Sequence, residues 1–249
     1  MVKLLLILLA ALITSCISGI FGMAGGMIFM GLIASMMGVA EAMVVHGAVQ
    51  SVSNSYRSYL LRDNIRWDIL VYEFIGALPA IGIMALAAYV PGKGVLFLAL
   101  GLLPFVLWLP RGWLQGDIEK PAHAMLCGSL AIGLSLIAGS AGTALDIFYI
   151  KTALTRKEIV ATKAVTMFFA HLIKICYFGL PLIAAAGLAT LPPLWIFAAV
   201  VPMVMLGTFT GTRILNRLSD IGFKSATKYL VTLIGIVYLL RAASLFGWL

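Results

Sequence analysis

Long apolar stretches, each ended by charged or turn-forming residues, fill almost the whole chain. They divide it into ten segments, five on each side of the more polar residues 111–122. Most are long enough to cross the ~30 Å hydrocarbon core of a bilayer as α-helices. The pattern therefore predicts an all-α polytopic membrane protein with helical elements at residues 4–21, 24–38, 41–61, 69–90, 94–110, 123–139, 142–153, 158–185, 193–216 and 224–245.

The composition leaves too few charges for a water-facing surface. Of the 249 residues, 63% are hydrophobic and 10% are charged, with a mean hydropathy of +1.11. Soluble proteins have roughly 25% charged residues, so most of this surface must face lipid. Lys and Arg in cytoplasmic loops explain the net charge of +8, and no nucleic-acid partner is expected. The three cysteines are far apart, so neither a disulfide framework nor a metal site is expected.

The second half of the chain repeats the first. Residues 24–26 (Ala-Gly-Gly) align with residues 140–142 (Ser-Ala-Gly), and the helical stretches that follow align without a gap. Duplicated halves with matching small-residue breaks are typical of secondary transporters. We predict an N-terminal repeat of residues 1–110, a linker of residues 111–122 and a C-terminal repeat of residues 123–249.

The loop charges distinguish broken helices from continuous ones. If both small-residue motifs are breaks, 12 Lys and Arg residues fall on one side of the membrane and 3 on the other. With continuous helices at residues 4–38 and 123–153, this asymmetry would largely vanish. Cytoplasmic loops are enriched in Lys and Arg, which favours the breaks and places both termini outside the cytoplasm. Five elements per half then make the two repeats inverted.

The residues around the first break resemble a known family. Residues 19–26 (Gly-Ile-Phe-Gly-Met-Ala-Gly-Gly), followed by an apolar helix and by residues 40–42 (Ala-Glu-Ala), resemble the sulfite exporter TauE/SafE family. That family repeats such a segment once in each half, and the resemblance covers the whole chain. It implies a transporter of the cell's inner membrane, not an enzyme, that moves small organosulfur or sulfite-like anions such as sulfite or sulfoacetate.

The two breaks are the first candidate for a binding site. Unwinding exposes N–H groups at membrane depth, and the half-helix that follows points its positive dipole end at the gap. Either an oxyanion binds there, or the small residues only permit close helix packing. Residues 24–38 reach only ~22 Å, so they either cross a thinned bilayer or are re-entrant. The residues of the breaks are Gly22, Gly25, Gly26, Gly139, Ser140, Gly142 and Thr143.

Polar side chains on the third element of each half are the second candidate. In the first half they recur at spacings of three and four, so they share a helix face that lipid cannot cover without cost. In the second half a lysine near the bilayer centre would cost ~2.5–3.5 kcal/mol, which favours a partner or a function for it. These side chains either line a substrate cavity or form interhelical hydrogen bonds: His46, Gln50, Asn54 and Arg57, then Lys163, Thr166, His171 and Lys174.

Two acids within the membrane are candidate charge partners or proton-linked groups. Asp146 is expected to form an ion pair with one of the two lysines of the third-element set. Glu73, early in the fourth element, is expected to pair with Arg57 or Arg66 across the cytoplasmic interface.

These predictions favour a secondary transporter that exports a small anion by alternating access. With the cytoplasm negative, each expelled negative charge gains ~2.3 kcal/mol per 100 mV, so export requires no coupling ion. The alternatives are a proton-coupled importer of a small organic anion, a metal-cation transporter, and an intramembrane hydrolase that uses Ser140 and His171. The lipid bilayer is the other expected partner, no cofactor is expected, and a homodimer is left open.

Overall fold

The chain folds into helices. The computed structural model describes residues 2–21, 24–109, 116–149, 151–215 and 220–249, and these ranges contain no β-strand. The α-helices of the described residues are α1 (Val2–Phe21), α2 (Ala24–Met36), α3 (Val39–Leu60), α4 (Trp67–Ala87), α5 (Lys93–Leu102), α6 (Pro121–Ala138), α7 (Gly142–Leu145), α8 (Arg156–Ala186), α9 (Leu194–Leu215) and α10 (Asp220–Phe246).

Each predicted apolar segment overlaps one of these helices, and two segments are shorter than predicted. Helix α5 stops at Leu102 and continues as a 3-10 helix, Leu103–Trp108, which contains Pro104. Proline lacks the N–H that an α-helical hydrogen bond requires. Helix α7 has only four residues and continues as the 3-10 helix Asp146–Tyr149. Asp, Ile, Phe and Tyr, which make up that second turn, have modest helix propensity.

The fold is that of a multi-pass membrane protein, as the sequence predicts. Among the described residues, six helices are long and apolar enough to cross a bilayer: α1, α4, α6, α8, α9 and α10. Helix α3 has 22 residues and is therefore long enough to cross, but it is absent from this set. Its low mean hydropathy comes from the polar face described below.

The chain bends sharply at the second small-residue motif. Helix α6 ends at Ala138, because Gly139 adopts left-handed backbone angles (φ 70°, ψ −10°), and α7 begins at Gly142. A continuous helix through residues 123–153 is therefore excluded.

At the first motif, Gly22 lies outside the described residues, but α2 packs back against α1. A Cβ atom added to Gly25 would lie 2.7 Å from Ser18 N and would also collide with Thr14 O. In a continuous helix, positions 14 and 25 would be ~16 Å apart along the axis. Helix α2 is therefore not a straight continuation of α1.

The main helix contacts join the two halves of the chain. Helix α1 packs on α9, α4 on α6, α3 on α8 and α5 on α10. Helices α3 and α8 run antiparallel, because a Cβ at Gly47 would lie 2.7 Å from Ile175 Cγ1 and one at Gly179 would lie 3.5 Å from Val44 Cγ2. Inverted repeats require this antiparallel packing of their third elements. The inverted relation and the boundaries of the repeats stay predictions.

Helix α2 lies in the larger apolar core. Phe29 and Ile33 are fully buried there among side chains of α3, α5, α8 and α10. The Tyr238 hydroxyl of α10 donates a hydrogen bond to Met27 O at 2.8 Å. A second apolar cluster packs α6 against α7 and the turn after it. Both regions that follow the breaks are thus enclosed by other helices.

Candidate functional site

One face of α3 is polar and buried, as its residue spacing predicts. His46, Gln50, Asn54 and Arg57 are each less than one-tenth exposed. Asn54 Nδ2 donates to Gln50 O at 2.9 Å, and Arg57 Nη2 donates to Ser18 O at 3.3 Å. Arg57 therefore lies against a backbone carbonyl of α1 instead of extending to the membrane surface.

His46 and Lys174 connect the two breaks at one buried point. Lys174 Nζ donates to Gly139 O at 2.8 Å and lies 2.7 Å from His46 Nδ1. His46 Nε2 lies 3.0 Å from Gly26 O. When Lys174 is an ammonium group, it can only donate, so Nδ1 accepts, and the ring proton on Nε2 is directed at the Gly26 carbonyl. One lysine and one histidine from opposite halves thus bond to the carbonyls of both breaks.

Two buried polar atoms next to this point have no hydrogen-bond partner among the described residues. They are Gln50 Nε2 and His171 Nδ1. The His171 and His46 rings are 5.3 Å apart between centroids, and a Cβ on Gly26 would lie 3.4 Å from Gln50 Nε2. An unsatisfied buried polar group costs ~1–3 kcal/mol. We call the whole group the central cluster: Gly26, His46, Gln50, Gly139, His171 and Lys174.

A second group surrounds α7. Lys163 Nζ forms an ion pair with Asp146 and donates to Gly142 O at 3.3 Å. Lys163 is therefore the lysine that pairs with Asp146, and Lys174 is not. The Thr143 hydroxyl contacts Met27 Sδ at 3.6 Å, which joins the segment after the second break to the helix after the first.

The prediction that Glu73 pairs with an arginine is wrong. Its side chain is buried, and Oε1 accepts a hydrogen bond from the Tyr149 hydroxyl at 3.3 Å, while Oε2 is in hydrogen-bond contact with the Thr166 hydroxyl. Arg57 faces α1, as described above. Arg66 lies seven residues before Glu73, which is ~10 Å along the axis of a helix, and is therefore too distant.

Arg66 instead connects the start of α4 to the start of α8. Its guanidinium lies 2.7 Å from Asp68 Oδ2 and 3.8 Å from Glu158 Oε1, and its backbone N–H donates to Thr162 Oγ1 at 3.1 Å. The hydrogen bond to Asp68 is the main reason why the pKa of Arg66 is raised above its ordinary value.

Most of the predicted site residues lie in three groups. The central cluster contains four of the eight third-element residues. The second group contains Lys163, Asp146, Gly142 and Thr143, and Glu73 and Thr166 form a third with Tyr149. Ser140 is buried at the second break, and Gly25 at the contact of α2 with α1. At the breaks, the backbone groups bonded to the two lysines and to His46 are carbonyl oxygens. The sequence-based hypothesis was that exposed backbone N–H groups there bind the anion.

Two tyrosines at these groups were not predicted from the sequence. Tyr149 bonds to Glu73, and Tyr238 bonds to the backbone of α2. A tyrosine buried within an apolar helix needs a hydrogen-bond partner for its hydroxyl. The position of Tyr238 in such a segment could therefore have indicated a contact of this kind. Tyr149 lies within the predicted element at residues 142–153, and no pattern in the sequence distinguishes it.

Comparison with known proteins gives one result. The family model described as "Sulfite exporter TauE/SafE" matches residues 7–238. No curated protein and no solved structure matches the chain.

Proposed function

Because the chain belongs to the sulfite exporter TauE/SafE family, a family of membrane transporters for sulfur anions, we propose that it exports sulfite, sulfoacetate or a related small oxyanion. Export proceeds by alternating access across the cell's inner membrane. The two halves are inverted repeats, both termini lie outside the cytoplasm, and the central cluster binds the anion.

The observation that supports this proposal most directly is the convergence of both breaks on His46 and Lys174. When protonated, the lysine brings a positive charge to a fully buried position, where an isolated charge is costly. Its present partners are a neutral imidazole nitrogen and a carbonyl oxygen. Neither neutralises the ammonium charge, whereas an anion would.

The two unpartnered groups make the cluster suitable for an oxyanion. The Gln50 amide has N–H donors, and His171 Nδ1 is a donor in one tautomer. Anion oxygens accept several hydrogen bonds at once, and charge-assisted hydrogen bonds are about twice as strong as neutral ones. An oxyanion would therefore satisfy the amide, the imidazole and the ammonium together. This requires the Lys174 bond to Gly139 or to His46 to open.

The position of the cluster between the two halves supports alternating access. Helices α3 and α8 supply its side chains, and the two breaks supply its carbonyls. All the side chains concerned are buried in this conformation. Rotation of one half against the other would separate α3 from α8 on one face of the membrane and open the cluster to that face.

The membrane potential is sufficient to drive export. A monovalent anion that leaves a negative cytoplasm gains ~2.3 kcal/mol per 100 mV, which is roughly a fifty-fold concentration ratio. Proton-coupled import of an organic anion is the competing function, and it would require the opposite direction of net flux.

The test is efflux from proteoliposomes loaded with radiolabelled sulfite or sulfoacetate, with an inside-negative potential imposed by potassium and valinomycin. We expect efflux that stops when the potential is reversed. Efflux of chloride or phosphate but not of the sulfur anions would refute the substrate assignment. Net uptake under the same potential would refute export.

Lys174→Met tests the cluster in the same assay, with Lys93→Met at the exposed start of α5 as the matched control. Loss of a hydrogen bond from a charged group corresponds to about 10–100-fold lower transport. Equal rates in both variants and the wild type would remove the central cluster as the anion site.

A further inference from the structure

Glu73 is a buried carboxyl group within a membrane-spanning helix whose contacts are not with a basic residue. Its side chain lies in α4, and both carboxyl oxygens contact hydroxyl groups, from Tyr149 and from Thr166. Burial of an unpaired carboxylate in a membrane interior is costly. A carboxylic acid in the neutral form avoids that cost, so this position favours a bound proton.

The hydrogen bonds of Thr166 are compatible with a proton on Glu73. The Thr166 hydroxyl lies 3.2 Å from Thr162 O and also contacts Glu73 Oε2. A hydroxyl has a single hydrogen, and a carbonyl oxygen can only accept. If that hydrogen is donated to Thr162 O, the contact with Glu73 requires a hydrogen from the carboxyl group. The arrangement therefore accommodates a protonated Glu73.

Among the described residues, the helices packed around Glu73 present no unpaired basic side chain to it. From α6, the Cys127 thiol faces it. The turn after α7 contributes the Tyr149 hydroxyl and, further away, Asp146. From α8 the facing groups are the Thr166 hydroxyl and Lys163. Lys163 is already paired with Asp146 and with Gly142 O.

A small cavity adjoins the carboxyl group. It measures about 20 Å³ and lies between α4, α6 and α8, with Glu73, Thr166 and Ala170 among its lining residues. This volume is sufficient for one water molecule. The cavity lies against α8, the helix that also supplies His171 and Lys174 to the central cluster.

We propose that Glu73 is a proton-binding site of the transport cycle, which holds a proton when the helices close as in this structure and releases it when they open. This inference rests on the proposed function and adds a proton to it. In each turnover Glu73 takes up one proton from the side on which the anion binds and releases it on the side on which the anion leaves.

The position of Glu73 explains how the proton and the anion would be linked. Thr166 and Lys174 lie on the same helix, α8, eight residues apart. Tyr149 lies in the turn that follows the second break, whose Gly139 carbonyl bonds to Lys174. A movement of α8 or of that turn therefore changes the contacts of Glu73 and of the central cluster together.

The experiment measures anion efflux and lumenal pH in the same proteoliposomes, with a trapped pH-sensitive dye and sulfoacetate as the probe. Sulfoacetate stays fully ionised near neutral pH, so a change in lumenal pH reports protons moved by the protein. We expect wild-type efflux to be accompanied by a pH change and to vary at least five-fold between pH 6 and pH 8. Glu73→Gln, which mimics the neutral acid, should retain anion exchange but lose both effects.

Glu119→Gln is the matched control, because Glu119 is exposed and bonds to Thr152 outside this group. It should behave as the wild type. Efflux from the wild type without a pH change would overturn the proton site and leave the proposed export intact. A pH dependence in Glu73→Gln equal to that of the wild type would also overturn it. If the wild type showed no efflux of sulfur anions at all, the proposed function would be refuted instead.

Tyr149→Phe keeps the test decisive if Glu73→Gln does not fold. This variant removes one donor that stabilises the ionised carboxylate, so Glu73 should hold its proton to higher pH. The midpoint of the pH profile should rise by about one unit, as expected for one hydrogen bond to a charged group. An unchanged midpoint would contradict a role for Glu73 in the profile.

Discussion

Gly25, in the first turn of α2, offers a direct test of the packing at the first break. A methyl group at this position would lie 2.7 Å from Ser18 N and 2.9 Å from Ser18 Oγ, and it would overlap Thr14 O. Two of these three atoms belong to the backbone of α1, so they cannot rotate away. The two helices must separate, and overpacking of this kind costs about 1–3 kcal/mol. Gly25→Ala should therefore lower the unfolding temperature in detergent by several degrees.

Two other glycines provide controls for the same substitution. A methyl group on Gly26 would lie 3.4 Å from the Gln50 amide, which is close to ordinary contact, so Gly26→Ala should change stability little. Gly82, within α4, has no atom within 4 Å of the added methyl group, and alanine there should stabilise the helix by up to ~1 kcal/mol. All three variants should be measured by size-exclusion chromatography after heating. If Gly25→Ala melts together with Gly82→Ala, α2 does not pack on α1 as described.

Three further substitutions test contacts elsewhere, by the same measurement. Asp146→Asn should cost about 1 kcal/mol, because Asp146 is 44% exposed and water screens its pair with Lys163; Lys163→Met in the same chain should recover most of the loss. Tyr238→Phe should cost about 1 kcal/mol through loss of the hydrogen bond that the tyrosine hydroxyl donates to Met27 O, and an unchanged melting temperature would exclude that bond. Thr155→Ala should cost about 1 kcal/mol by removing the N-cap of α8, whereas Thr155→Ser should not.

The sequence was sufficient to predict the helices and which faces they bury. Apolar length located the segments, and spacings of three and four identified the buried face of α3 with His46 and Arg57. These properties depend on the local chain alone. The glycine at the second break was predicted for the same reason, because a positive φ of 70° at Gly139 suits glycine best.

The partners of buried side chains could not be predicted in the same way. Glu73 meets Thr166, 93 positions later, and His46 meets Lys174, 128 positions later. Periodicity indicates which side of a helix points inward, but the neighbour that it meets depends on helix rotation and depth in the bundle. The wrong pairing of Glu73 with an arginine followed from proximity in sequence, which has little influence on contacts between helices.

The exchange of partners between halves has a consequence for biogenesis. His46 enters the membrane with α3, but Lys174 is synthesised 128 residues later, a delay of roughly 6–26 s at ordinary translation rates. During that interval the polar face of α3 has no α8 to cover it, and α1 similarly lacks α9. The nascent N-terminal half must therefore stay shielded by the insertion machinery or by a chaperone until the rest of the polypeptide emerges.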